Sequence, residues 1–347
     1  MPARAANTGD DLAEALGVDE LEETGEEMGL GEYGSIREGY DIEGFFSGLV
    51  ADCVEAVVSP ALLRDMAAVL VTVLLLAAVR TVLQPPEGSF DGPLLAGASA
   101  VLLLLSGGQD SLTALAESTV FKLQDVANAL LPVLGSAALL SGQVTAAAAK
   151  YSAAALFLNV LLNLCCSFLL PLIRLYLAAA AAEAVTGSGV MSSVLGFLKW
   201  CGATALTCLM LAFTLYLSLT SMASDAADAA IVRSAKTTVA AMLPVVGSIA
   251  GDAASSILAA AGMIRQAVGT FGLLAVTSVL LAPFLRAGAR YLLLKGAASI
   301  SSELAEKRMA RLLKRLSESM ALMMGCIGSC GLILYFSVYS LMRAVGT

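Results

Sequence analysis

Histidine is absent from this 347-residue chain. That excludes histidine-based catalytic triads, histidine metal sites and histidine proton relays. Charge is scarce as well: Asp, Glu, Lys and Arg make up 14% of the residues, against about 25% in ordinary globular domains. No basic patch with interleaved aromatics occurs, so nucleic-acid binding has no support. The dipeptide Gly-Lys is missing, and with it the phosphate loop G-x-x-x-x-G-K-[ST]. The string Leu105-Ser106-Gly107-Gly108-Gln109, which spells the signature of ABC-type ATPases, therefore has no nucleotide site to complete. It follows a run of Val and Leu and reads as the C-terminal stop of an apolar helix. The seven cysteines, Cys53, Cys165, Cys166, Cys201, Cys208, Cys326 and Cys330, are odd in number and lack framework spacing. The opening "MPARAANTGDDL" has no apolar h-region. Its "ARAA" has the composition of a cleavage zone, and a leader upstream is left open.

What is abundant is apolar. Hydrophobic residues make up 58% of the chain, and long apolar runs recur from residue 66 onward. Several reach the ~18–20 residues that a bilayer span needs. The charge divides sharply. Residues 1–55 hold fifteen acids and two bases, a balance of −13; the remainder holds thirteen acids and eighteen bases, or +5. The expected organisation has four parts. Residues 1–45 form an acidic, flexible, extracytoplasmic arm with too few apolar residues to bury a core. Residues 46–107 form a lead-in helix (42–64 by its spacing) and two membrane helices, at 66–83 and 94–105. Residues 108–222 and 223–347 form two membrane repeats.

The repeat rests on three ordered matches. "LLPVLGS" (130–136) matches "MLPVVGS" (242–248), and "LLPLIR" (169–174) matches "LAPFLR" (281–286), both at offset 112. "LYLSLTS" (215–221) matches "LYFSVYS" (334–340) at offset 119. Proline and glycine inside apolar helices free backbone groups and permit bends. Pro132, Gly135, Pro244 and Gly247 are thus candidate helix breaks that line a transport pathway, with a plain kink as the alternative. Basic residues crowd 286–315, which the positive-inside rule places in the cytoplasm. Residues 301–320 read as an amphipathic helix, on which Lys307, Arg308, Arg311, Lys314 and Arg315 form a candidate cytoplasmic docking face or an anchor on anionic headgroups. Leu304, Leu312, Leu313 and Leu316 are expected to face lipid or a neighbouring element. Gly325, Gly328 and Gly331 suit close helix packing. Whether the repeats are parallel, with six crossings, or inverted, with eight, stays open.

Enzymatic chemistry is not expected. "SIAGD" (248–252) has Ile249 where an intramembrane aspartyl protease needs glycine, and Tyr-Asp occurs only at Tyr40-Asp41, in the acidic arm. No cofactor or metal is expected.

Three stretches resemble the stage III sporulation protein AE family of endospore-forming bacteria: "ALLPVLGSAALLSGQVTAAA" (129–148), "VLGFLKW" (194–200) and "VRSAKTTVAAMLPVVGSIAGDAASSILAAAGMIRQAVGTFGLL" (232–274). Within the last, Arg233, Ala235 and Lys236 match an R-x-A-K segment, and Arg265, Ala267, Val268 and Gly269 match a K/R-x-A-V-G segment. The resemblance covers about residues 45–345. It implies a polytopic component of the channel, or feeding-tube, complex that links mother cell and forespore. Its implied partners are the other stage III sporulation A proteins, including a cytoplasmic ATPase, and a forespore-side channel protein. Its implied location is the mother-cell membrane facing the forespore. Membrane lipid is a further expected partner, and self-association stays open.

The reading is an all-α, polytopic integral membrane protein with an internal repeat and paired broken or re-entrant helices. Its expected function is a membrane part of a secretion-like channel complex. A stand-alone secondary transporter and a structural scaffold are the alternatives. Replacing Gly135 or Gly247 with Leu is expected to abolish sporulation while the protein still inserts. A spore count together with a membrane-fraction blot checks this, and normal sporulation in both variants would remove the pathway role.

Overall fold

The computed structural model describes residues 13–83, 92–106, 112–140, 144–186, 189–242, 246–303 and 307–342. Helices dominate: α1 (Val18–Glu27), α2 (Ile42–Val57), α3 (Pro60–Leu83), α4 (Gly92–Ser106), α5 (Leu112–Leu140), α6 (Val144–Asn163), α7 (Leu170–Thr186), α8 (Gly189–Met242), α9 (Val246–Glu303) and α10 (Lys307–Met342). Leu- and Ala-rich sequence is intrinsically helical, and in lipid a helix satisfies its own backbone. Among the described residues five helical runs are long and apolar enough to cross a membrane: Ala114–Leu140, Ala148–Ala184, Gly189–Leu219, Ala259–Glu303 and Lys307–Met342. The chain is therefore an all-α, multi-pass membrane protein, as its composition predicts.

Glycines set the central helix pair. Gly288 faces Met324, Gly328 faces Phe284, Gly331 faces Leu280 and Gly269 faces Met342. Positions fall along α9 as they rise along α10, so the two are antiparallel. At Gly331 an added Cβ would stand 2.5 Å from a Leu280 methyl, closer than two carbon atoms approach. Helix α8 lies parallel to α10, with Gly202 against Leu322 and Leu206 against Gly325. Helix α5 lies antiparallel to α9; Leu130 fills the space over Gly272, where a Cβ would come within 2.4 Å.

Two prolines are handled differently. The break expected at Pro132 is not a break, since α5 runs through it from Leu112 to Leu140. A proline removes one i→i−4 bond and kinks a helix without ending it when neighbours hold the rest. Here Ser136 Oγ donates to the carbonyls of Pro132 (2.8 Å) and Val133 (3.1 Å). At Pro171 the helix widens instead. A π turn, Leu164–Leu169, joins α6 to α7, and the Leu170 amide bonds back to the Cys165 carbonyl. Such a turn absorbs the missing donor ahead of the proline. Pro283 lies within the unbroken α9, and Pro244 lies outside the described residues. Gly247 belongs to the first turn of α9. The expected amphipathic helix 301–320 is divided: residues 301–303 end α9, and the basic stretch from Lys307 is continuous with the last span in α10.

From residue 13 onward the acidic head is folded, against expectation. Val18, Leu21 and Gly25 share one face of α1 and are buried, packed in a core with Val126, Leu130 and Phe271. An added Cβ at Gly25 would come 2.6 Å from the Phe271 ring, so a side chain there would lift α1 off the bundle. Leu30 and Ile36 extend the same contact. The sequence reading missed this because the head has too few apolar residues for a core of its own; it borrows one from the membrane helices. A short hairpin pairs Gly34 with Tyr40 and Ser35 with Gly39, an Arg37–Asp19 ion pair spans it and α1, and Asp41 accepts from the Gly44 amide (3.0 Å) to cap α2. Phe45, Leu49 and Cys53 of α2 face inward.

Tyr40 rests against Phe271, with ring centroids 6.1 Å apart. Burial, and then the nearby Glu22 carboxylate, push its phenol up to about 12 from an ordinary value near 10. A raised value in the docked state means that docking is fully supported below pH about 10, weakens as the undocked phenol ionises, and loses this contribution above pH about 12. Limited proteolysis of the head across that window should show progressive release. Tyr40→Phe should lack this part of the alkaline dependence.

Candidate functional site

Among the described residues, three polar features stand out in the apolar bundle. The largest is a cavity of about 790 Å³ between the head, α5 and α9. Its head wall carries Thr24, Glu27, Glu32 and Asp52; α5 contributes Ser118, Thr119, Lys122 and Asp125; α9 contributes Ser278, Pro283 and Arg286. Residues 115–125 and 278–286 both belong to candidate membrane spans. Helical spacing does the placing on α5: Leu123, Val126 and Leu130 turn into the core, which leaves Lys122 and Asp125, three apart, on the cavity side. On α9, Pro283 and Arg286 repeat that spacing. Ionisable groups among membrane helices are rare and mark functional surfaces.

The second feature is an ionic cluster where α7, α8 and α10 meet. Arg315 donates to Glu183 Oε2 (3.2 Å), Glu318 Oε2 (3.3 Å) and Ser192 Oγ (2.9 Å). Tyr176 donates its hydroxyl proton to Glu318 Oε2 (2.6 Å), and Lys199 pairs with Glu318 Oε1 (3.1 Å). The side chains of Arg315 and Glu183 are 17% and 5% exposed. One guanidinium fork thus ties three helices through charge-assisted bonds.

The third is a shallow recess of about 70 Å³ beside Pro132, with Gln124, Asn128, Tyr151 and Asn159 in its wall. Gln124 donates to Asn128 Oδ1 (2.8 Å) one turn ahead of the proline.

These positions settle where each expected site residue lies. Pro132 borders the recess and Gly135 is buried against Tyr151, whose ring would lie 3.4 Å from an added Cβ, in ordinary contact. Neither lines the large cavity. Pro244 lies outside the described residues. Of the expected docking cations, Lys307, Arg311 and Lys314 are exposed at one helical spacing and Arg308 is half-buried. Arg315 is not on that face. It turns inward because Glu183, a lone acid in the Ala-rich "AAAAAEAV" (178–185), needs a counter-charge, so its docking role is withdrawn. Leu312, Leu313 and Leu316 pack in the core beneath it, and Leu304 lies outside the described residues. The stripe Gly325, Gly328 and Gly331 does pack closely, against Leu206, Phe284 and Leu280. Sequence reasoning missed Glu27, Glu32 and Asp52 as cavity residues. The available signal was Lys122 with Asp125 inside an otherwise apolar span, which marks one wall but does not say what faces it.

Removing one member of a buried ionic cluster leaves the others uncompensated, at about 3–5 kcal/mol. Arg315→Met should therefore lower the thermal unfolding midpoint of the detergent-solubilised protein strongly. Arg311→Met, on the exposed face, should leave it nearly unchanged.

Comparison with curated proteins and with solved structures returns no match. Comparison with protein families returns one that spans α2 to the end of α10: stage III sporulation protein AE, matched over residues 43–345. With its multi-pass helical architecture and a match over most of its length, the chain belongs to the stage III sporulation protein AE family.

Proposed function

We propose that this protein is the mother-cell-membrane subunit of the channel complex that links mother cell and forespore, and that its long central helices reach into the space between the two membranes. The supporting observation is the length and direction of α8 and α9. They have 54 and 58 residues, about 81 and 87 Å at 1.5 Å per residue, against a hydrocarbon core of about 30 Å. The excess lies on one side. Because α9 is antiparallel and α8 parallel to α10, residues 246–268 of α9 and the end of α8 run on beyond the level of Met342, away from Lys307, Arg311 and Lys314. The positive-inside rule assigns that basic end to the cytoplasm. The far end, with the acidic head beside it, is then extracytoplasmic.

In this reading Lys307, Arg308, Arg311 and Lys314 form the face for the cytoplasmic ATPase, and the end of α8 with the start of α9 meets the forespore-side partner. The internal repeat is part of the proposal, in parallel form. Helix α5, the α6–α7 run and the first half of α8 would correspond to the second half of α8, α9 and α10. The support is direction: α8 and α10 run side by side in parallel with Gly202 near Leu322, close to the offset of 119 seen in the sequence. No chemical step is assigned to the chain; its role is to conduct and to connect.

Two measurements test this. A membrane-impermeant maleimide should label Asp228→Cys from outside intact cells, and Lys314→Cys only after permeabilisation, each scored against the parent chain. The reverse pattern would overturn the orientation. Reconstituted alone in liposomes the protein should pass no solute, with passage appearing on addition of the partner proteins. Transport by the protein alone would favour a self-sufficient transporter, and none in either setting would favour a scaffold.

A further inference from the structure

The large cavity has a charge arrangement that its own residues leave incomplete. Glu27, Glu32 and Asp52 stand on the head wall; Lys122 and Arg286 stand on the walls formed by α5 and α9. Opposite charges thus line one space, yet among the described residues none of these five enters an ion pair, nor does Asp125 beside Lys122. All six are exposed to the open cavity, unlike the largely buried and paired Arg315. Lys122, Asp125 and Arg286 lie within candidate spans, so what fills the cavity beside them is water or a polar ligand.

A ligand that completes this arrangement carries a cation toward the head and an anion toward the spans. We infer that the cavity binds an ammonium–phosphate zwitterion, and that the bilayer supplies it as the headgroup of phosphatidylethanolamine. A primary ammonium has three donors for carboxylate acceptors. A guanidinium and an ammonium from two different helices suit phosphate oxygens, Arg through its fork and Lys as a point charge. The bilayer is the favoured source because α2 is two-sided. It sends Phe45, Leu49 and Asp52 to the cavity, while Phe46, Val50 and Val54 are exposed on its outer side. Those outer side chains offer acyl tails a surface continuous with the membrane, so a headgroup in the cavity stays joined to a lipid outside it.

The test uses the full chain, purified from nanodiscs that contain equal phosphatidylethanolamine and phosphatidylglycerol, with retained lipid counted by mass spectrometry. Phosphatidylethanolamine should be enriched at least tenfold over phosphatidylglycerol, and Lys122→Gln with Arg286→Gln should remove the enrichment. Misfolding could also cause that loss, so a second variant seeks a gain. Glu27→Gln, Glu32→Gln and Asp52→Asn together keep the anion side and remove the cation side, and should turn the preference toward phosphatidylglycerol. Displacement of the retained lipid by free phosphoethanolamine would identify a soluble source for the same chemistry; its failure to compete would identify the bilayer. Lipid retained in the bulk ratio by the parent chain, or an unchanged preference in the triple variant, would overturn the proposal.

Discussion

The antiparallel contact between α9 and α10 is the interaction on which the rest of the bundle depends. Lipid gives little reward for burying one more leucine, so helices in a membrane associate through close van der Waals contact between surfaces that fit. Gly269, Gly288, Gly328 and Gly331 supply that fit by letting Met342, Met324, Phe284 and Leu280 settle against bare backbone. With this pair fixed, α5 docks on Gly272, α8 docks along Gly202 and Gly325, and the head docks on Phe271. Each later contact uses a surface that the first one has already placed.

The ends of the bundle are specified differently from its middle. At the basic end, Arg315 fastens α7, α8 and α10 through Glu183, Glu318 and Ser192. A cluster of this kind adds little net stability over apolar packing, but it is intolerant of sliding, since a shift of one turn leaves charges buried without partners. The middle, made of interchangeable Leu, Ala and Val, has no such register mark apart from its glycines. Fit in the centre and charge at the end together define one alignment.

Much of this was legible in the sequence, and the misses have physical reasons. The multi-pass character follows from apolar run length, which is a local property, but the run read at 66–83 lies in α3, outside the five candidate spans, while the stretch read as broken at Pro132 is one of them. The tight role of Gly325, Gly328 and Gly331 follows from their spacing. Pro132 misled because a proline's effect on a helix depends on its neighbours; α5 stays continuous through it with Leu130, Leu131, Val133 and Leu134 packed in the core, whereas the similar demand at Pro171 produced a π turn. The head misled because burial is a property of pairs of surfaces. Val18, Leu21 and Leu30 looked too few, and they are too few without Leu130 and Phe271. The cavity was invisible for the same reason, as Glu27 and Lys122 come together only in three dimensions. Arg315 read as one more cation in a basic stretch until its partner on α7 was placed.

The docking of the head carries a consequence for how the protein is made. Gly25 is synthesised early, while the Phe271 ring it rests on belongs to α9, near the other end of the chain. At translation rates of about 5–20 residues per second, the interval is on the order of tens of seconds. For much of that time Val18, Leu21 and Leu30 have only the α5 part of their surface, Val126 and Leu130, and lack Phe271, while the head's surplus of negative charge favours its staying in water. The acidity that made this segment look like a tail is also what suits it to wait for its binding site to be built.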